Sequence, residues 1–533
     1  MTAISGLAFL VASTGISTAY CEENTPSAVA RENLEEVTAM HSMDTLPVYE
    51  SDFVAQHNGE DGTRIWMTYG GIVYDVTDFI PNHPGGSEQI MKAAGGAIEP
   101  YWHLYRQHFA SDLPMRLMEH MIVGKLKEED QEAIDEQMAE LVDSSDDPYE
   151  LEPMRHSSLK VHSDTPMNAE CPANQLTQSY ITPSALFYIR HHHPVPFLKP
   201  LEVENYKLKI DLSEMGKGVV ELSLDDIKKL PKVEVTATLQ CSGNRRSGFN
   251  QVMRTSGTSW GQGAISNAKW AGAKLTDVLK LAGLDDPIAA EEELGMEHVR
   301  FHSLDGMSSS IGIEKAMNPY GDVIVAYEMN GEPLPRDHGF PLRAIVPGYC
   351  AVRNVKWLSA IELSKEEAEG PWQRGLNYKA LPPSVTDAKA VDLDAMPGLS
   401  EASLFSGITS MALKEGGKVS PGETVTVQAS GWAWAGGGRN IVRVDVSGDD
   451  GKTWKSATLG DGAKQKFGRA WAWTFWYAEV PVKVREDGTV HLVSKSVDMA
   501  LNVQPEKCDG MWNVRGLGNN SWFRASATVA EVR

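Results

Sequence analysis

From Leu46 to Lys127, apolar and polar positions alternate in short bursts. Thr63-Arg64-Ile65-Trp66-Met67-Thr68-Tyr69 predicts a strand, Gly70-Gly71 a turn, and Ile72-Val73-Tyr74-Asp75-Val76 a second strand. Helical patterns follow at about 87–95 and 98–120, so a compact unit is expected over 46–125. The pattern then dissolves. Glu128 to Glu152 holds twelve acids and no base, and 143–178 is rich in Ser, Asp, Pro and Asn. A helix fits 128–142, but the stretch 126–180 as a whole reads as a solvated linker long enough to let the first domain move.

Residues 181–400 return to a mixed α/β pattern, in which Glu234-Val235-Thr236-Ala237-Thr238-Leu239-Gln240 is a strand running straight into Cys241. Beyond 401 the runs at 425–429, 441–446 and 489–493 predict strands at sandwich spacing. Eight of the 14 tryptophans lie in this last part, a density that suits a sandwich core before a subunit interface.

The chain has 533 residues and a net charge of −23. That charge argues against nucleic acid, whose phosphates demand Lys and Arg, and suits steering toward a basic partner protein. Five widely spaced cysteines with no CxxC pair exclude a zinc or disulfide framework and leave room for one functional thiolate. Residues 3–20 are apolar or small with no charge before Glu22. The run is short for a membrane span, so a cleaved sorting segment within 1–45 is favoured over an anchor, and no stable membrane insertion is expected.

His83 precedes Pro84-Gly85-Gly86, which makes either a plain tight turn or a turn that holds an imidazole toward a flat ligand. Two neutral imidazoles saturate a haem iron and leave it for electron transfer. On spacing alone His103 and His108 compete as the second ligand. The second constellation is Cys241-Ser242-Gly243-Asn244-Arg245-Arg246, a thiol beside two arginines and a candidate soft metal ligand. With it stand Tyr188-Ile189-Arg190-His191-His192-His193, Arg336-Asp337-His338-Gly339-Phe340-Pro341-Leu342-Arg343 and Asn354-Val355-Lys356-Trp357.

Trp66, the run 72–79 and His83-Pro84-Gly85-Gly86 resemble a cytochrome b5 haem domain, a likeness that selects His108 as partner of His83. The Cys241, His192, His338 and Lys356 runs resemble the molybdenum domain of eukaryotic sulfite oxidases and plant nitrate reductases. Gly431-Trp432-Ala433-Trp434 and Trp471-Ala472-Trp473 resemble their immunoglobulin-like dimerisation domain. The haem domain comes first, and with Trp522 close to the last residue no flavin reductase domain is expected. That order resembles the animal-type sulfite oxidase family, with a truncated nitrate-reductase-like enzyme as the alternative.

The resemblance implies an α+β multidomain chain: haem domain 46–125, linker 126–180, molybdenum domain 181–400 and Ig-like sandwich 401–533. It implies haem b on His83 and His108, and molybdenum-molybdopterin on Cys241, with Tyr188, Arg190, His192, Asp305, His338, Arg343, Asn354 and Lys356 around the pterin. Arg190, Arg246, Arg515, Trp260 and Tyr378 would surround sulfite, which is oxidised to sulfate. Electrons would pass through the haem to cytochrome c, in a homodimer in the mitochondrial intermembrane space. Two departures stand out. His191 replaces a usual Asn, with only His192 expected to face the pterin, and Asn377 replaces a usual Asp.

Overall fold

A computed structural model describes residues 46–83, 87–104, 108, 113–143, 147–284, 287–379, 381–386, 391–393, 395–415 and 418–532. The expected sorting segment lies outside them. The chain forms two compact units, Met1–Phe79 with Met91–Asp146, and Ile80–Ile90 with Asp147–Arg533. Among the described residues no helix is long and apolar enough to cross a membrane.

The first unit is built on a four-stranded sheet in the order Val48–Tyr49, Ile122–Leu126, Ile72–Asp75, Trp66–Tyr69. The predicted hairpin pairs Trp66 with Asp75 and Tyr69 with Ile72. Val54, Val73 and Leu126 form its buried centre, with Tyr49, Trp66 and Ile134 against them. Ile134 comes from the acidic helix Glu128–Asp143, whose Glu128, Glu129 and Asp130 lie in the first turn, where carboxylates favour the dipole. Asp130 accepts from the Ser51 N–H at 2.7 Å and Gln131 from the Gly71 N–H at 2.9 Å, so this helix belongs to the first unit.

The linker expected over 126–180 is corrected from the other side too. Lys160–Asp164, Met167–Glu170 and Ile189–Arg190 form a three-stranded sheet, and Ala169, Cys171 and Leu176 are buried in the second unit. Composition alone read these residues as solvated because the stretch is polar, although its first two strands pair locally with each other.

The second unit holds two five-stranded sheets. One is ordered Lys232–Gln240, Ile265–Lys274, Ile324–Met329, Glu332–Pro333, with Arg343–Ile345 also pairing on Ile324–Met329. The other is ordered Ser308–Gly312, His298–Ser303, Leu358–Ser364, Lys207–Asp211, Val219–Ser223. Lys232–Gln240 begins half-exposed and ends fully buried, so it delivers Cys241 into the interior.

Two four-stranded sheets follow from Leu404 onward and share one core of Val427, Val444, Trp476, Val490 and Leu492. Trp432, Trp434 and Trp473 instead pack with Cys171, Leu176 and Ile265. The tryptophan density therefore seals the sandwich to the preceding domain as well as filling its core. The Thr238 N–H donates to Trp471 O at 3.0 Å, and the Trp473 N–H to Thr238 Oγ1 at 2.8 Å across the same seam.

Gly431 marks a close approach in the sandwich. A Cβ there would lie 1.9 Å from Gly407 O and 2.6 Å from the Trp476 ring. Gly431→Ala is expected to cost about 3 kcal/mol, as overpacking against backbone does, and to lower the first melting transition by several degrees in calorimetry.

Candidate functional site

A cavity opens in the second unit, at the buried end of Lys232–Gln240. Cys241 lines it as a free, buried thiol. Its N–H donates to Ala264 O at 3.0 Å, and its carbonyl accepts from the Asn244 N–H at 2.9 Å, which tightens the chain into the turn that carries Arg245 and Arg246. Tyr188, Arg190, His192, Asp305, His338, Arg343, Asn354, Lys356 and Tyr378 line the same cavity. The sequence signals for most of these residues came from separate runs, with Asp305 and Tyr378 implied by the family resemblance, and the fold brings them to one wall.

Pairing with Met167–Glu170 sets Arg190, which also donates through Nη1 to Asn168 Oδ1 at 2.9 Å and through Nη2 to His192 Nδ1 at 3.3 Å. Arg343 donates to Asn354 O at 3.2 Å and His338 O at 3.0 Å, with its guanidinium 5.0 Å above the Trp270 ring. Burial takes it down to about 10. Lys356 is pulled well below the usual amine range, first by burial and then by Arg343. His338 falls to about 4, chiefly by burial, and is neutral at pH 7. Burial works to raise Asp305, but His193 at 3.4 Å and the Met307 N–H at 3.2 Å hold it below its ordinary value.

Four sequence expectations change. His191 lines the cavity beside His192, because it bridges Asp337 and Lys356. Trp260 is fully buried against His162, ring centroids 4.9 Å apart, and stands off the cavity wall. Arg246 and Arg515 also stand off that wall, yet each shares a charge interaction with Arg190 and with Tyr378. Arg246 additionally feels Cys241.

Arg246 is fixed by Arg515 O at 3.1 Å, Gly516 O at 3.2 Å and Thr258 O at 2.7 Å. A Cβ on Gly243, Gly257 or Gly516 would lie within 2.8 Å of its side chain, so these glycines form its cradle. Arg515 donates to Ser256 Oγ at 2.8 Å and to Asn377 Oδ1 at 2.5 Å, and its buried Nε finds no partner among the described residues. Burial and then Arg246 bring Arg515 down to about 10. Tyr378 is raised to about 12, first by burial and then by Cys241, so it stays a hydroxyl donor at pH 7. The spacing of these groups in sequence carries no hint of Ser256, which joins the site only through its bond from Arg515.

This arrangement suits two anions. Asp337 and Asp305 are already paired, which leaves Lys356, Arg343 and Arg190 as basic side chains around a free thiol. That donor set fits an anionic pterin and a soft metal. Arg246, Arg515 and Tyr378 offer fixed donors to a small oxyanion.

In the haem region, His83 is half-buried and its N–H donates to Ile80 O at 3.3 Å. Pro84, Gly85 and Gly86 lie outside the described residues. His108 stacks flat on Trp102, centroids 4.8 Å apart and planes within 1°. An imidazole is a type of side chain that ligates haem iron.

Residues 50–127 match the cytochrome b5-like heme/steroid binding domain family, 192–372 the oxidoreductase molybdopterin binding domain family, and 403–530 the Mo-co oxidoreductase dimerisation domain family. The chain is 43% identical to the mitochondrial sulfite oxidase of Homo sapiens over 92% of its own length and 86% of that protein. It is 43% identical to the sulfite oxidase of Gallus gallus over 90% of its length and all of that protein. The sulfane dehydrogenase SoxCD of Paracoccus pantotrophus shares the fold, with a TM-score of 0.55 at 24% identity over 71% of this chain and 88% of that one.

Proposed function

The chain belongs to the sulfite oxidase family, and from that membership we propose that it oxidises sulfite to sulfate. Sulfite and water become sulfate, two protons and two electrons. The observation that carries the reading is the convergence of Arg190, Arg246, Arg515 and Tyr378 around one free, buried thiol, Cys241. Molybdenum-molybdopterin supplies the two-electron oxygen chemistry when bound. Cys241 gives it a thiolate, and Tyr188, Arg190, His192, Asp305, His338, Arg343, Asn354 and Lys356 orient the pterin.

The arginines neutralise the sulfite charge in a dry pocket and hold it in one orientation. Tyr378 donates a hydrogen bond to a substrate oxygen. Trp260 supports this pocket from behind. His83 and His108 would hold haem b, which would supply one-electron transfer toward cytochrome c. The net charge of −23 suits a basic acceptor. The protein works as a homodimer through 403–530, in the mitochondrion and there in the intermembrane space.

The test is steady-state cytochrome c reduction with sulfate measured alongside, and nitrate as a control substrate. Sulfate formation at one per two cytochromes c supports the reading. Molybdenum-loaded protein that ignores sulfite, or consumes nitrate instead, removes it.

Asn377 tunes the same pocket. An Asp here would set a carboxylate against Arg515, where Asn377 Oδ1 now lies at 2.5 Å. Asn377→Asp is expected to raise KM for sulfite about fivefold, the worth of one ion pair of roughly 1 kcal/mol, with kcat unchanged. The guanidinium holds the new carboxyl below its ordinary value of about 3.9. The penalty therefore persists unchanged from pH 5 to 9 and fades only in stronger acid.

A further inference from the structure

Residues 152–155, which follow the boundary between the two units, are tied to the cofactor cavity by a line of buried side chains. Glu152 accepts from the Val195 N–H at 2.8 Å and pairs with Arg155. Arg155 donates to Asp337 through Nη2 at 2.8 Å and through Nε at 3.2 and 3.3 Å. Asp337 Oδ1 meets His191 Nε2 at 2.9 Å, and His191 Nδ1 meets Lys356 Nζ. Lys356 Nζ also donates to Arg190 O at 3.1 Å and Asp337 O at 3.3 Å.

The proton inventory of this line is fixed by chemistry. An ionised carboxylate only accepts, and a neutral imidazole carries one proton. His191 must then carry its proton on Nε2 and turn the Nδ1 lone pair to Lys356. Burial supports that state, taking the imidazole down to about 3, so that it is neutral. Three acceptors thus surround Lys356 Nζ and fix it at the cavity wall, 4.3 Å above the Trp357 ring. Arg155 has no place on that wall.

We propose that Arg155 is a positioning residue for cofactor retention: through Asp337 and His191 it holds Lys356 where the anionic pterin cofactor rests. The inference depends on the pterin reading above. A side chain outside the cavity then governs how long the cofactor stays, and the segment entering the second unit is part of the clamp.

The test uses full-length holoprotein and the variants Arg155→Met, His191→Leu and their combination. Molybdenum and released pterin fluorescence are followed during timed dialysis, with haem absorbance per chain and the melting temperature as folding controls. Each single variant is expected to lose cofactor about 10- to 100-fold faster than the parent, the usual scale for groups that orient a ligand from behind. The double variant is expected to lose it no faster than the worse single one, because both act along one line. Arg155→Lys keeps the charge without the two-point fork and gives an intermediate rate, which keeps the test alive where Arg155→Met folds poorly. Release within twofold of the parent overturns the inference, as do single effects that multiply in the double variant. A parent protein without pterin removes the premise and the inference together, whereas a parent that holds pterin as tenaciously as its variants removes only the inference.

Discussion

Cys241→Ser is expected to abolish sulfite-dependent cytochrome c reduction, by about 10³-fold or more, while haem content per chain stays at the parent level. The magnitude follows from what the thiol is. A serine hydroxyl is a hard, weakly acidic donor and cannot stand in for a soft thiolate on a metal that changes oxidation state. Removing a group that touches the reacting centre commonly costs three or more orders of magnitude in kcat. The exchange is nearly isosteric, and the backbone bonds that set the turn, to Ala264 O and from Asn244, involve no side-chain atom. Misfolding is therefore a poor explanation for a loss, and intact haem absorbance checks it. Activity within tenfold of the parent would remove Cys241 from the reaction.

Arg515→Met is the second large effect. Its guanidinium is buried, its Nε is unmatched among the described residues, and Arg246 lies close enough to depress it. Two buried cations side by side are unfavourable unless an anion joins them. Truncating one side of a buried charge pair costs about 2–5 kcal/mol, so kcat/KM for sulfite is expected to fall by roughly 30-fold to several thousandfold. Most of the loss is expected in KM, because the charge it neutralises is present in substrate and transition state alike. Arg515→Lys is expected to recover little, since an ammonium lacks the planar fork. Steady-state kinetics on both variants decide it: an unchanged KM would take Arg515 out of the oxyanion pocket.

How much of this was legible in the chain depends on whether each signal was local. The hairpin around Gly70-Gly71 and the strand that ends at Cys241 carry period-two patterns, and both formed where the pattern lay. The motif runs holding Arg190, His192, His338, Arg343 and Lys356 named residues that the fold then gathered at one cavity, where Asp305, implied by the family resemblance alone, joins them.

What was hidden is non-local. Arg246 bonds the backbone of Arg515 across 269 residues, and no window spans that contact. Lys160–Asp164 and Met167–Glu170 are the exception, a local hairpin in a stretch too polar to show a strand pattern. His191 looked like a neighbour of the functional histidine because its partners, Asp337 and Lys356, come from elsewhere in the chain. The acidic run 128–143 read as solvated by charge alone, yet Ile134 and Gln131 dock it.

The central claim is that one chain takes two electrons from sulfite and passes them to its own haem. The most direct measurement is anaerobic mixing of oxidised protein with sulfite while the haem spectrum is recorded and sulfate is assayed. The account predicts haem reduction in the parent, sulfate in proportion, and no haem reduction in Cys241→Ser. A molybdenum-loaded parent whose haem stays oxidised, or a Cys241→Ser protein whose haem still reduces, would contradict it.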